Sequence, residues 1–219
     1  MITRRTFLAG ASSLAVTAAL LASVDFSLVQ PALAQQGPSV MELMAPGPIE
    51  DRALGKEDAP VTIVEYASMT CGHCATFHNK TYPELKKRYI DTGKVRFILR
   101  EFPLDPVAAG AFMLARCSAK DKHHAIIETL FEQQSDWAFG RDPRKALLTL
   151  ARQFGFTEQS FNACVTDQKT LSAIEEGMKR ASQKFGVNST PTFFINGKKY
   201  SGALSIDELA KAIDPLIKS

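Results

Sequence analysis

Cys71 and Cys74 are separated by only a glycine and a histidine, and these two thiols are well suited to redox chemistry. Two cysteines at this spacing can close a disulfide with each other when they lie at the start of a helix. A helix N-terminus also stabilises a thiolate, because its first backbone N–H groups lack partners within the helix and its dipole is positive there. The pattern therefore predicts a redox pair in which Cys71 is the nucleophile and Cys74, one turn further in, resolves the mixed disulfide.

His73 lies between the two cysteines and is a candidate helper for the nucleophile. A protonated or hydrogen-bond-donating imidazole beside the Cys71 thiolate would lower the pKa of that thiol. The alternative is that His73 is a polar turn residue with no effect on the chemistry.

Glu65 is the one charged residue in the otherwise apolar stretch Val61–Tyr66, six positions before Cys71. A buried carboxylate without a partner is costly, so such a residue is expected to have a role or a raised pKa. The alternative is that the stretch is partly exposed and that Glu65 is simply solvated. We interpret Glu65 as a site residue and leave the second possibility open.

The segments around the redox pair have the patterns of a strand, a helix and a second strand. The near-continuous apolar character of Val61–Tyr66 predicts a central strand. Residues 72–90 have helical spacing, with a kink or break expected near Thr81–Tyr82 because Pro83 falls inside the pattern. Apolar residues alternate with arginine from Val95 to Arg100, which predicts a second strand.

Residues 105–185 have a different character, since several segments with helical spacing follow one another there. Two strand-like segments, Thr192–Ile195 and Lys198–Tyr200, then flank Asn196-Gly197, a strong hairpin signal. Ser205 is a good N-cap for a final helix. The two half-sheets most simply pair into one sheet, with the helical block inserted between them.

The motifs and the helical block together carry a family resemblance. Cys71-Gly-His-Cys74 lies at a strand-to-helix turn, and Ser189-Thr-Pro-Thr192 leads into the hairpin. This combination resembles the thioredoxin superfamily, and the insertion is similar to that of its DsbA branch of exported thiol–disulfide oxidoreductases. The resemblance implies an α/β thioredoxin fold (β-α-β … β-β-α) with a large all-helical insertion. The implied segments are an N-terminal arm over 35–59, a thioredoxin domain over 60–104 and 186–219, and an inserted helical domain over 105–185.

The resemblance also assigns roles to three residues. From the residues alone, a trans bond before Pro191 is the default, whereas the matching proline of the superfamily is cis and packs beside the redox pair. Thr190 would then offer backbone groups to an extended substrate, as in strand addition. Glu65 matches an acid that lies beneath the active site of DsbA-like proteins, where it can take the proton of the second cysteine.

Cys117 and Cys164 are the two remaining cysteines, and both fall in the helical block. They could be free and buried, which is common for cysteine. A structural disulfide is favoured in an oxidising compartment, and cysteines at similar places recur in some DsbA-like relatives. Such a disulfide would contribute about 2–4 kcal/mol to stability and would clamp the insertion.

Residues 1–34 have the pattern of an export signal that is cleaved near Ala34. Arg4 and Arg5 precede an apolar run, and Ala32-Leu-Ala34 forms an A-x-A site. The paired arginines followed by Phe-Leu favour the twin-arginine route, and the general secretory route is the alternative. Either route predicts a periplasmic protein, and its formal net charge of only +3 argues against nucleic-acid binding.

The histidines near the redox pair do not predict a metal site. Cys71, His73, Cys74 and His78 lie on one helix and cannot all point at one ion, and no second motif completes a tetrahedral set. His123-His124 is interpreted as a surface or capping pair at a helix start. We expect no metal and no organic cofactor.

The expected function is that of a monomeric periplasmic oxidase that introduces disulfides into newly exported, unfolded proteins through Cys71 and Cys74. The resemblance implies reoxidation by a quinone-linked membrane protein of the DsbB type. A disulfide isomerase or a dedicated reductant of the same superfamily is the nearest alternative, since Gly-His between the cysteines also matches protein disulfide isomerase. A non-catalytic metal carrier is an alternative from another class, and the Thr190-Pro191 pair argues against it.

Overall fold

The structure, a computed structural model, describes residues 38–217. The strands in this range are β1 (Ala53–Leu54), β2 (Val61–Ala67), β3 (Val95–Glu101), β4 (Thr192–Ile195) and β5 (Lys198–Ser201). They form one sheet in the order β1-β3-β2-β4-β5, so the strand that leads to the redox pair is central.

β2 joins the two halves of the chain in this sheet. It runs parallel to β3, with Val61 opposite Val95, and antiparallel to β4, with Glu65 opposite Phe193. Nearly all its side chains are buried, which explains why the segment is apolar almost throughout. The prediction that the two half-sheets pair into one is confirmed.

Helices make up most of the remaining chain. They are α1 (Val40–Met44), α2 (Gly72–Lys80), α3 (Tyr82–Leu85), α4 (Pro106–Cys117), α5 (Lys120–Glu132), α6 (Gln134–Trp137), α7 (Pro143–Gln153), α8 (Glu158–Val165), α9 (Gln168–Phe185) and α10 (Ile206–Ile217), with a π-helical turn at Lys86–Ile90. Helices α4 to α9 lie between β3 and β4 in the chain and form the insertion of the thioredoxin fold. One buried cluster spans insertion and sheet, since Phe112 and Phe131 share it with Phe77 and Phe193.

The helix after the redox pair is interrupted near Pro83, as its sequence predicts. α2 ends at Lys80, and α3 begins at Tyr82 with proline in its first turn, where a missing N–H costs no intrahelical hydrogen bond. The break changes the direction of the chain before it enters β3.

The arm before β2 contains regular structure that the sequence did not predict. α1 begins with a capping box, in which the backbone N–H of Glu42 donates to Ser39 Oγ at 3.2 Å and the Ser39 N–H donates to the Glu42 carboxylate at 3.0 Å. β1 extends the sheet beside β3. Arg180 of α9 donates to three backbone carbonyls between residues 42 and 46. The contacts of Arg180 and of β1 are distant in sequence, so local periodicity does not reveal them, and the capping box is the local signal for α1.

The interpretation of His123 as a surface or capping residue is wrong. α5 begins three positions earlier, at Lys120, and only 1% of His123 is exposed. Its Nδ1 lies 3.0 Å from the carbonyl oxygen of Ala115, so this nitrogen carries the proton and donates. Burial lowers the pKa of His123 to about 3 and that of His124 to about 4, so both imidazoles are neutral at physiological pH.

The export signal predicted over residues 1–34 lies outside the described residues. From residue 38 to residue 217, no helix combines the length and the apolar character that a bilayer span requires. The described residues 38–217 lie within one compact unit, which contains every element named above.

Candidate active site

The redox pair lies where the central strand passes into α2. Cys71 is the N-cap residue of α2, and its carbonyl accepts the first helical hydrogen bond, from Ala75 N at 3.1 Å. Both thiols are free. Cys71 is 9% exposed and Cys74 is fully buried, which makes Cys71 the more accessible sulfur.

The surroundings of Cys71 stabilise its thiolate. The largest effect on the pKa of Cys71 is the hydrogen bond from the Cys74 thiol, which lowers it, whereas burial raises it. The side chain of Thr190 and the backbone N–H groups of Cys74 and His73 add to the stabilisation. Together they lower the pKa of Cys71 to about 5. Cys71 is therefore a thiolate at neutral pH.

Cys74 shifts in the opposite direction. Burial is the main cause that raises the pKa of this thiol, followed by its hydrogen bond to Cys71 and by the negative charge of Glu65. Two cysteines three positions apart thus have opposite protonation preferences. The thiolate of Cys71 and the protonated thiol of Cys74 match the roles of nucleophile and resolving group that the sequence predicts.

The peptide bond between Thr190 and Pro191 is cis, as the resemblance implied. It lies beside the redox pair, because the Cys71 Sγ is 3.3 Å from the carbonyl oxygen of Thr190, which accepts from the thiol when Cys71 is protonated. Within the described part of the chain, the buried Thr190 Oγ1 finds no nitrogen or oxygen partner, which leaves its hydroxyl available to the Cys71 thiolate. The loop before β4 therefore presents both a carbonyl and a hydroxyl at the nucleophile.

Glu65 lies on β2 with no exposed surface, so the alternative of a solvated carboxylate is wrong. Its Oε2 is 2.9 Å from His78 Nε2, and its Oε1 has no hydrogen-bond partner among the described residues. His78 is on α2 and stacks on Phe131 of the insertion, with ring centroids 4.1 Å apart. The acid beneath Cys74 therefore has a buried imidazole as its partner.

The sequence pattern does not identify His78 as the partner of Glu65 and raises this residue only as a possible zinc ligand. The available signal was its spacing, because His78 follows Cys74 by four positions and lies on the same helix face. Among residues 38–217, no group of three or more histidine, cysteine, aspartate or glutamate side chains is arranged to hold a metal ion.

His73 is exposed, and its contribution to the Cys71 thiolate comes from its backbone N–H group. The effect expected of its imidazole stays a prediction. The contribution of His73 to the Cys71 pKa in this structure comes from its position at the helix start.

Cys117 and Cys164 form a disulfide with a Cα–Cα distance of 5.8 Å, so the alternative of two free cysteines is wrong for this structure. The bond ties the end of α4 to α8. It lies wholly within the insertion and leaves Cys71 and Cys74 as a separate pair.

Known proteins match this chain in sequence and in structure. The thioredoxin family model matches residues 48–215. A Rickettsia bellii protein with the provisional name of protein-disulfide oxidoreductase is 34% identical over 172 residues, which are 77% of this chain and 65% of that protein. The chain thus spans slightly less than two thirds of this relative.

Two solved structures have the same fold. Alpha-DsbA1 of Wolbachia pipientis superposes with a TM-score of 0.74 at 32% identity, over 81% of this chain and 95% of that one. Oxidised BdbD of Bacillus subtilis superposes with a TM-score of 0.68 at 25% identity, over 77% of this chain and 94% of that one. This chain therefore belongs to the thioredoxin superfamily and, within it, to the DsbA-like proteins.

Proposed function

We propose that this protein is a thiol:disulfide oxidoreductase that works in the oxidising direction, donating a Cys71–Cys74 disulfide to exported proteins. The observation that carries the proposal is the opposite pKa shift of the two thiols. A stabilised Cys71 thiolate means a stable reduced form, and a stable reduced form makes the disulfide a strong oxidant. DsbA itself is a standard example of this relationship.

The first step is attack on the oxidised protein. A substrate thiolate attacks the Sγ of Cys71, which is the more accessible sulfur, and the Cys71–Cys74 bond breaks. The electron pair of that bond goes to Cys74, and a mixed disulfide between substrate and Cys71 forms. The buried Cys74 disfavours a thiolate, so it takes up a proton as it leaves.

The second step releases the product. A second substrate thiolate attacks the substrate sulfur of the mixed disulfide, so that the substrate disulfide forms and the bond to Cys71 breaks. Cys71 leaves as a thiolate that the Cys74 thiol and the N-terminus of α2 stabilise. The substrate has lost two electrons, and the protein dithiol has gained them.

Glu65 and His78 are the proposed proton source and sink for Cys74. Both are buried beneath the redox pair and joined at 2.9 Å, so a proton can be shared between them. A negative charge on Glu65 raises the pKa of Cys74, which couples the protonation of the two groups. The pair would give a proton to Cys74 when the disulfide opens and take one back when it re-forms.

Substrate and partner assignments follow the family. Thr190 is proposed to bind an extended substrate segment through its backbone, next to Pro191 and Cys71. The substrates would be unfolded, newly exported proteins with cysteines, encountered by a monomeric periplasmic protein. Reoxidation is assigned to a quinone-linked membrane partner of the DsbB type, and the exchange itself needs neither metal nor organic cofactor.

The second candidate function is disulfide isomerisation or dedicated reduction by the same two thiols. The Gly-His dipeptide between the cysteines favours it, because this dipeptide matches protein disulfide isomerase. The equilibrium constant with glutathione separates these possibilities. A reduction potential near that of DsbA, about −120 mV, supports the oxidase, and one near that of thioredoxin, about −270 mV, would assign the protein as a reductant.

A further inference from the structure

The helical insertion contacts the redox site directly, through the loop that carries Cys71. We define this redox loop as residues 68–71, between the end of β2 and the start of α2. Gln134 is the first residue of α6 and is 5% exposed. Its Nε2 donates to the carbonyl oxygen of Met69 at 2.8 Å and to that of Cys71 at 3.1 Å.

These two hydrogen bonds hold the redox loop on both sides of Thr70. Met69 is fully buried, so a carbonyl there needs a donor from within the protein. The Cys71 carbonyl is the one that starts α2, where it also accepts from Ala75 N. One amide group therefore fixes the backbone orientation of the nucleophilic cysteine relative to the helix start.

A second contact between insertion and loop lies at the beginning of α4. Thr70 Oγ1 donates to Asp105 Oδ2 at 2.5 Å, and Asp105 Oδ1 accepts from Ala108 N as the N-cap of α4. This contact holds the side chain of Thr70 and does not reach the backbone of Cys71. Gln134 is thus the insertion residue whose polar group touches the nucleophile's own peptide unit.

We propose that Gln134 is a positioning residue for the redox chemistry, through which the helical insertion holds Cys71 against the N-terminus of α2. This inference deepens the proposed function and rests on it. The Cys71 thiolate is stabilised by hydrogen bonds from the backbone N–H groups of His73 and Cys74 and from the Cys74 thiol. Each of these three donors must point at the Cys71 sulfur. Loss of the Gln134 hydrogen bonds lets the Cys71 peptide unit rotate. The geometry of the hydrogen bonds to the Cys71 sulfur then becomes poorer, so the thiolate is less stable.

The test replaces Gln134 by methionine, which has a similar length and no donor. The pKa of Cys71, read from the ultraviolet absorbance of its thiolate, is expected to rise by roughly half a unit to one unit. The equilibrium constant for oxidation of glutathione by the protein is expected to fall about threefold to tenfold, because the reduced form is less stabilised. The absorbance titration needs no substrate, so it reports on Gln134 even if the exchange direction proposed above is wrong.

Asn79→Leu is the matched control. Asn79 also joins α2 to the insertion by an amide hydrogen bond, from Nδ2 to the Phe131 carbonyl at 3.2 Å, but it does not touch the redox loop. Its removal should leave the Cys71 pKa unchanged. A folded Gln134→Met protein with the wild-type pKa and equilibrium constant would overturn the proposal, as would an equal shift in Asn79→Leu. If Gln134→Met does not fold, Gln134→Ala is measured and judged by the same outcomes.

Discussion

The carboxylate of Glu65 lies 2.9 Å from Nε2 of His78, and both side chains are buried. Glu65 comes from the central strand and His78 from the helix that begins at the redox pair, so the strand–turn–helix unit itself creates the contact. Phe131 of the insertion stacks on the imidazole and fixes its plane. The thioredoxin core and the insertion together therefore build the polar pair beneath Cys74.

Glu65→Gln is expected to slow the exchange more than it alters stability. Glutamine has the same shape and can still hydrogen-bond His78, but it cannot take or give the proton that Cys74 exchanges. The rate should fall about a hundredfold or more, at or above the low end expected for loss of an acid–base group. Stopped-flow measurement of mixed-disulfide resolution against pH checks this, with the free energy of unfolding measured in parallel.

Glu101→Gln serves as the control for that variant. Glu101 is also a buried carboxylate, bonded to Arg116 Nε at 2.5 Å, but it takes no part in the proposed exchange. Its loss leaves a buried guanidinium without its counter-charge, which should cost about 3–5 kcal/mol of stability without slowing exchange in the folded protein. Equal exchange rates in Glu65→Gln and the wild type would remove Glu65 from the proposed mechanism.

Cys71→Ser is expected to abolish thiol–disulfide exchange while leaving the fold intact, because serine fits the N-cap position and cannot form the mixed disulfide. Cys74→Ser should instead trap a mixed disulfide, since the nucleophile remains and the resolving sulfur is gone. Insulin reduction and non-reducing electrophoresis measure the two effects. Insulin reduction by Cys71→Ser at the wild-type rate would show that the nucleophile is wrongly assigned.

The pKa of Cys71 predicts how the stability of the reduced protein depends on pH. The folded-state value of about 5 lies below the ordinary cysteine value of about 8.5. The thiolate therefore contributes stability that grows as the pH rises from about 5, is complete above about 8.5, and is lost as the pH falls through the folded-state value. The disulfide form has no such titration.

Thermal unfolding of both redox forms across this pH range measures the effect. The melting temperature of the reduced form should rise relative to that of the oxidised form as the pH increases, and Cys71→Ser should remove this pH dependence. Absorbance of the thiolate should show a midpoint near pH 5, from Cys71. A midpoint near the ordinary cysteine value would contradict the proposed stabilisation.

Much of this fold could be predicted in the segments where the local sequence pattern and the long-range packing favour the same secondary structure. β4 has the predicted bounds, because it is a short apolar run beside a hairpin signal, and α4 to α9 fall within residues 105–185, where helical spacing is predicted. Motif spacing predicts the redox pair, the family resemblance implies the cis proline, and an oxidising compartment together with the resemblance favours the disulfide. Glu65 was found because one charge in a buried strand conflicts with its surroundings.

The missed features depend on partners far away in the chain. α1 and β1 have too few residues for a periodic signal, and Arg180 and β3 hold them in place. Gln134 is an ordinary helix residue by local pattern, and its contacts with Met69 and Cys71 cross 65 and 63 positions. The Gln134 amide and the two carbonyls that accept from it come together only in the folded chain.

The disulfide between Cys117 and Cys164 is expected to stabilise the insertion without taking part in exchange. It closes a sequence separation of 47 residues, for which the loss of chain entropy in the unfolded state contributes about 2–4 kcal/mol. The double variant Cys117→Ala with Cys164→Ala should therefore unfold at lower urea concentration and keep the glutathione equilibrium of Cys71 and Cys74 near its wild-type value. Thiol titration of the oxidised wild type after unfolding should find no free thiols. Two titratable thiols would mean that this pair is reduced in the mature protein, and an unchanged urea midpoint in the double variant would show that the bond does not stabilise the fold.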